Sequence, residues 1–145
     1  VTPEAYKRPE SVLIVVYTRA LECLLLERIT PPGFWQSVTG SLRWDETAAD
    51  AAVRELAEET GLPGVGLVDS GLTQRFPIAP EWRARYAPDV TENLEHWWYL
   101  ELPQRREITL SPTEHTAYRW LALDDATALV SSWTNRAALE RLRAG

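Results

Sequence analysis

Cysteine is almost missing from this chain. Cys23 stands alone, so no intrachain disulfide can brace the fold. A chain built without disulfides suits a reducing compartment, and a cytoplasmic location is expected. No apolar run approaches the length needed to cross a bilayer and no secretory leader is visible, so no membrane partner is expected. Positive charge is also scarce. Lys7 is the only lysine, no basic run exists, and the net charge is −6. Long nucleic acid, which demands a positive footprint, is therefore excluded as a partner. A small anionic substrate is not excluded, because a bound cation can invert the local field. Methionine is absent even at position 1, from which a processed or renumbered N-terminus is expected. Internal repeats, low-complexity tracts and linkers are missing too.

What remains fits a single domain over residues 1–145, long enough to bury a core. Residues 1–10 carry Pro3 and Pro9 and read as an extended lead-in. Residues 11–18 (SVLIVVYT) form a β-branched apolar run expected to be a buried strand. After a short turn at Arg19 and Ala20, residues 21–28 read as the second arm of a hairpin. Pro31, Pro32 and Gly33 force a loop. Residues 34–39 (FWQSVT) suit one short strand running into Gly40. Further strands are expected at 67–76, 96–102, 108–110 and 117–121, with 81–95 looping over the surface. Two helices are expected at 122–130 and 135–143. Strands alternating with helices around one core give a mixed sheet packed between helices.

The most informative stretch is residues 40–62, GSLRWDETAADAAVRELAEETGL. From Thr47 to Thr60 every residue tolerates a helix, and neither Gly nor Pro interrupts it. Thr47 is the expected N-cap, with Asp50 three residues on. Gly61 is the expected C-cap, followed by Pro63. Glu55, Glu58 and Glu59 then share one arc of the helix, about a third of its circumference. Glu55 and Glu59 are i,i+4 neighbours of like charge, which costs a few tenths of a kcal/mol in an isolated helix. They also crowd the C-terminal turns, where the helix dipole disfavours negative charge. A divalent cation on that face would rationalise the arrangement, since hard cations such as Mg²⁺ prefer carboxylate oxygens. A solvated acidic face with Arg54 paired to Glu58 is the plainer alternative.

The spacing G-x5-E-x7-R-E-U-x-E-E-x-G-U, with U a bulky aliphatic residue, decides between them. It is the Nudix box, matched at every fixed position from Gly40 to Leu62, and the chain resembles a Nudix hydrolase. The resemblance implies an α/β/α sandwich with a mixed sheet, and hydrolysis of an X-diphosphate linkage with Mg²⁺ as cofactor and Mn²⁺ as a substitute. It places Glu55 and Glu59 at the metal. Glu58 is another ligand, a ligand to a second metal, or the partner of Arg54. Glu46 and Arg54 would brace loop against helix by an ion pair, and Gly40 would let the loop approach the metal closely. Asp45 departs from the glycine common in the family, and Asp tolerates a left-handed backbone there. A base for the attacking water would come from the box glutamates or from a carboxylate elsewhere.

Segments outside the box extend the resemblance to a branch of the family that acts on a pterin triphosphate. They are Tyr6-Lys7-Arg8-Pro9, Phe34 to Gly40, Arg85-Tyr86-Ala87-Pro88, Thr113-Glu114-His115 and Ser132 to Arg136. This closer resemblance implies that Glu114 joins Glu55 and Glu59 at the metal. It implies substrate contacts from Lys7, Arg28, Thr39, Glu114 and Ser132. The loop Phe76, Pro77, Ile78 and Ala79 is implied as a further contact. Lys7 and Arg28 are cationic donors suited to phosphate. Thr39 and Ser132 suit the pterin edge, although Ser132 could simply cap the last helix. Phe76 could stack on the ring or fill the core, and Trp35 and Trp133 are further stacking candidates. His96 reads as a strand residue and His115 as a neighbour of the site without a ligand role, because Mg²⁺ does not favour imidazole. The expected partner is thus a small pterin or nucleoside triphosphate; oligomeric state is left open. A family module that binds without catalysing is the alternative of another class, against which the full set of box glutamates counts.

Overall fold

The structure, a computed structural model, describes residues 5–144. The first four residues of the lead-in, Pro3 among them, and Gly145 lie outside that range. Seven strands, β1 (Glu10–Thr18), β2 (Glu22–Arg28), β3 (Trp35–Gln36), β4 (Val38–Ser41), β5 (Val68–Pro77), β6 (Glu92–Leu102) and β7 (His115–Ala122), form one mixed sheet in the order β3-β2-β1-β6-β5, with β4 also paired to β1 and β7 to β2. β1 (Glu10–Thr18) is the axis. It runs antiparallel to β2 (Glu22–Arg28) and β4 (Val38–Ser41) and parallel to β6 (Glu92–Leu102).

Alternation along β1 builds two cores. Val12, Ile14 and Val16 face α1 (Ala48–Thr60), meeting Ala52 and Leu56. Leu13 and Val15 face the opposite way, toward α2 (Leu123–Leu129) and α3 (Trp133–Glu140), meeting Ala126 and Leu139. Each of these aliphatic side chains is essentially sealed from water, which stabilises the fold by roughly 1.5–3 kcal/mol for a Val, Ile or Leu. A continuous apolar run is what a strand covered on both faces requires. The expected sandwich of a mixed sheet between helices is the observed one.

Several local expectations need correction. Residues 34–39 are not one strand. β3 (Trp35–Gln36) pairs with β2, while β4 pairs with β1. The break is at Ser37, whose backbone N–H donates to Asn135 Oδ1 (2.7 Å) and whose Oγ accepts from Asn135 Nδ2 (2.9 Å). A buried side-chain amide therefore replaces ladder bonds there. Residues 108–110 form no strand; Thr109 N–H instead donates to Thr60 O (3.0 Å), satisfying a carbonyl at the end of α1. The stretch 81–95 is not all surface loop. Pro80–Arg85 is a 3-10 turn, and β6 begins at Glu92, four residues before the expected strand start. Asp45 has no left-handed backbone to tolerate, because Leu21 is the one non-glycine residue with positive φ among the described residues.

Candidate active site

The site is built first from α1. Thr47 Oγ1 accepts from Asp50 N–H (3.1 Å) at its start, and Gly61, at φ 76°, turns the chain off its end. These caps set the rotation that carries Glu55 and Glu59 inward. Both are buried, at 7% and 4% exposure, on the same arc as Ala52 and Leu56. Glu58 faces out. It is held by Arg54 Nη1 (3.3 Å) and Arg43 Nη2 (3.8 Å), so of its three readings the geometry gives the partner of Arg54.

Gly40 explains the inward room. A Cβ on its backbone would lie 2.0 Å from Glu55 Cδ, so β4 passes where only glycine lets the carboxylate sit. Arg54 grips the opposite side. Its Nε and Nη2 form a two-pronged pair with Glu46, each at 2.7 Å, and Nη1 donates to Glu55 Oε1 at 2.7 Å. Nη2 also donates to Ser41 O (3.1 Å), and Glu46 Oε1 accepts from Arg43 N–H (3.0 Å). The expected brace between loop and helix is therefore present, with Gly40 and Glu55 inside it.

Hydrogen bonding from Arg54 holds the Glu46 carboxyl down to about 2. A depressed carboxylate stabilises the folded state above its unfolded value, here 4.5, and that contribution fades as pH falls toward 2. Glu46→Gln should thus lower the unfolding free energy at pH 7 by roughly 1–2 kcal/mol. Denaturant melts of both proteins should show the gap narrowing below pH 4.5. A gap that stays constant to pH 3, about midway through the window, would contradict the pairing.

The third carboxylate comes from the turn that leads into β7. β7 (His115–Ala122) pairs antiparallel with β2, and a register shift between Glu27 and Arg28 sets Arg28 opposite His115. Ile29 N–H donates to Glu114 O (3.0 Å), which fixes the turn just before β7. One ligand atom each from Glu59, Glu114 and His115 then lies within 4.8 Å of the others. His115 thus sits beside the acids, as a neighbour of the site. Its Nε2 sits 3.4 Å from Gln36 Nε2, and its Nδ1 is buried without a partner among the described residues. Burial lowers its pKa, so the ring is neutral at pH 7.

The acids are in electrostatic conflict as they stand. Glu59 Oε1 is buried and finds no hydrogen-bond partner among the described residues. Desolvation first, then the charges of Glu55 and Glu114, push the Glu59 carboxyl well above the ordinary range. Desolvation raises Glu55 as well, against the pull of Arg54. Buried acids without donors are costly unless a cation meets them. The donor set of carboxylate oxygens fits a hard divalent ion.

These groups open into a cleft of about 950 Å³. Lys7, Arg28, Thr39 and Ser132 line it, as does the loop from Phe76 to Ala79. Every residue expected at the substrate is therefore on its wall. Glu46, Glu58 and Gly61 do not line it and act behind it. Lys7 is open to solvent as a residue, yet desolvation by the wall, then Arg85 and Arg28, lower its pKa. Its Nζ stands 5.8 Å from the Tyr86 ring, and its N–H donates to Arg85 O (2.8 Å). The Arg28 guanidinium lies 5.4 Å from the Trp82 ring and 5.8 Å from Phe34. Ser132 caps α3, its Oγ accepting from Asn135 N–H (3.1 Å), so its capping role is real. Trp82, Tyr86, Asn93 and Glu95 line the cleft but were not expected from sequence. No local alternation marks Asn93 and Glu95 as inward; the parallel pairing of β6 with β1 places them there.

A helix presenting clustered acids behind a glycine-bearing strand, with cations across the cleft, defines a hydrolase of phosphoric anhydrides. Comparison with known proteins agrees. The NUDIX domain model matches residues 7–142, and the chain belongs to the Nudix family. It is 46% identical to the dihydroneopterin triphosphate diphosphatase of Escherichia coli K12, over 95% of this chain and 94% of that protein. It is 37% identical to the Haemophilus influenzae protein of the same name, over 94% of this chain and 88% of that one. The solved E. coli dihydroneopterin triphosphate pyrophosphohydrolase superposes with a TM-score of 0.87, covering 94% of this chain and 96% of that structure.

Proposed function

We propose that this chain, acting as one Nudix unit over residues 1–145, hydrolyses 7,8-dihydroneopterin triphosphate to dihydroneopterin monophosphate and pyrophosphate. The observation that carries this reading is the convergence of Glu55, Glu59 and Glu114 with Lys7 and Arg28 in one cleft. The relatives at 46% and 37% identity are both named for that reaction.

Glu55, Glu59 and Glu114 would hold the divalent ion, with Mg²⁺ as the natural occupant and Mn²⁺ as a substitute. When bound, such an ion neutralises phosphate charge and makes a water more acidic. Water then adds its oxygen to phosphorus and gives up a proton to a carboxylate of the cleft, an anhydride P–O bond breaks, and pyrophosphate leaves. Lys7 and Arg28 bind phosphate oxygens, Arg28 with its two-pronged fork. Glu46, Arg54 and Gly40 keep Glu55 in place. Thr39, Ser132 and the loop of Phe76, Pro77, Ile78 and Ala79 enclose the rest of the substrate. Phe76 is half-buried near the end of β5 (Val68–Pro77) and lines the wall. No helix among the described residues is long and apolar enough to cross a membrane. A cytoplasmic site of action suits a substrate of this kind.

The test is a substrate panel at saturating Mg²⁺, comparing kcat/KM for 7,8-dihydroneopterin triphosphate with the four dNTPs. The pterin should lead by about tenfold or more. A dNTP leading by the same factor would make the chain a nucleotide pyrophosphohydrolase instead. No Mg²⁺-stimulated pyrophosphate release from any of them would make it a binding module.

A further inference from the structure

Glu95 has no part in the chemistry above, yet it is an acid at 5% exposure on the wall of the same cleft. It belongs to the other face of the sheet. Alternation along β6 puts Asn93, Glu95 and Trp97 on the side of Leu13 and α3, whereas Glu55 and Glu59 ride α1 on the opposite side. β1 and β4 repeat the division. Thr39 pairs with Leu13 and faces α3, while the missing Cβ of Gly40, paired with Val12, points at Glu55. The cleft therefore has two acidic walls with different surroundings.

The surroundings of Glu95 are those of a hydrogen-bond acceptor held ready. Oε1 accepts from Trp97 Nε1 at 3.0 Å. None of the ion pairs among the described residues includes it. Burial raises its carboxyl, with Trp97 and Thr134 opposing that only in part. A carboxylate has about four acceptor positions, so Trp97 and Thr134 leave part of its capacity unused. Two residues earlier, Asn93 is 3% exposed, with Nδ2 spent on Ser11 Oγ (2.8 Å) and Oδ1 without a partner. Acceptor capacity on this wall is thus left unpaired at Asn93 Oδ1 and only partly used at Glu95. A metal is the wrong occupant, because one carboxylate with no second acid beside it makes a poor cation site. Two adjacent N–H donors in a plane are the right one.

We propose that Glu95 is the specificity-determining residue of the cleft, accepting the N3–H and 2-amino N–H of a 2-amino-4-oxopyrimidine edge. Pterin and guanine present that edge, whereas adenine offers a ring-nitrogen acceptor that the carboxylate would repel. The substrate then lies across the sheet, phosphates toward α1 and ring toward α3. A buried acid with acceptor capacity left unpaired costs free energy in the empty cleft and regains it when the right edge arrives, so selectivity follows.

This rests on the pterin reading only for the choice of ring; guanine would serve Glu95 equally. The experiment uses the full chain and Glu95→Gln, which keeps shape but replaces one acceptor with a donor. Neopterin, which lacks phosphates, is titrated by its own fluorescence, and adenosine competes. Wild type should prefer neopterin by at least about 30-fold, and E95Q should lose neopterin by about 100-fold. With 7,8-dihydroneopterin triphosphate, kcat/KM should fall about 100-fold, mostly through KM, while dATP turnover moves less than about threefold. Equal losses on both substrates would mean that Glu95 only supports the fold, and the proposal would be wrong. Equal binding of neopterin and adenosine by wild type would sink it without any variant. Glu95→Asp, which keeps the charge but withdraws it, serves if E95Q does not fold, and it should show the same selective loss. If wild type prefers dGTP to the pterin and E95Q loses dGTP, the pterin reading fails while Glu95 keeps its role. If wild type prefers the pterin and E95Q does too, undiminished, the reverse holds.

Discussion

Glu59→Gln should cut kcat/KM by about a thousandfold while making the metal-free protein more stable. The two effects have one cause. Glu59 is buried between Glu55 and Glu114, with Oε1 unpartnered. Its carboxyl is raised in the folded state, so folding is favoured in full below the unfolded value of 4.5 and loses that contribution as pH rises through the raised value. Metal-free wild type should therefore melt at falling temperatures as pH climbs above 4.5 and through the raised value. E59Q removes one buried charge, flattens this slope, and melts higher at pH 7. Scanning calorimetry in chelator, run beside activity in Mg²⁺, checks both halves. A variant that lost activity and stability together would show a structural glutamate instead.

Gly40→Ala should lose about a hundredfold in activity with little change in melting temperature. The added Cβ would fall 2.0 Å from Glu55 Cδ and 2.3 Å from its Oε1. The glycine backbone here does not need a positive φ; the obstacle is the carboxylate itself. Glu55 ends a flexible side chain, so it can swing aside without unfolding β4. Moving it breaks the 2.7 Å bond from Arg54 and takes one carboxylate from the cluster. Isothermal titration with Mn²⁺ should show weakened uptake in G40A, and Gly40→Ser should do the same. Full activity in G40A would mean that Glu55 is not needed where it sits.

The α1 end of the site was legible in the sequence because its signals are local. Thr47, Gly61 and the spacing of Glu46, Arg54, Glu55 and Glu59 fix a cap-to-cap helix and its acidic arc within one window. Charges placed against both the dipole and the i,i+4 preference leave a cation site and a solvated face both open, and the box spacing chooses between them. The α3 end was not legible, because its parts come from distant strands. Glu95 reads as surface by composition, and only the parallel pairing of Ser11 with Glu95 carries it inside. His115, expected as a neighbour of the site, owes its exact place beside Glu59 to a register shift in the β2–β7 pair. The break at Ser37 depends on Asn135, far along the chain, which no local pattern encodes.

The most direct test of the central claim is calorimetric titration of Mg²⁺ and Mn²⁺ into the intact metal-free protein and into E59Q. The account predicts saturable binding by wild type, release of protons as Glu59 ionises, and loss of both in E59Q. Absence of binding heat in wild type, or identical isotherms for the two proteins, would contradict it.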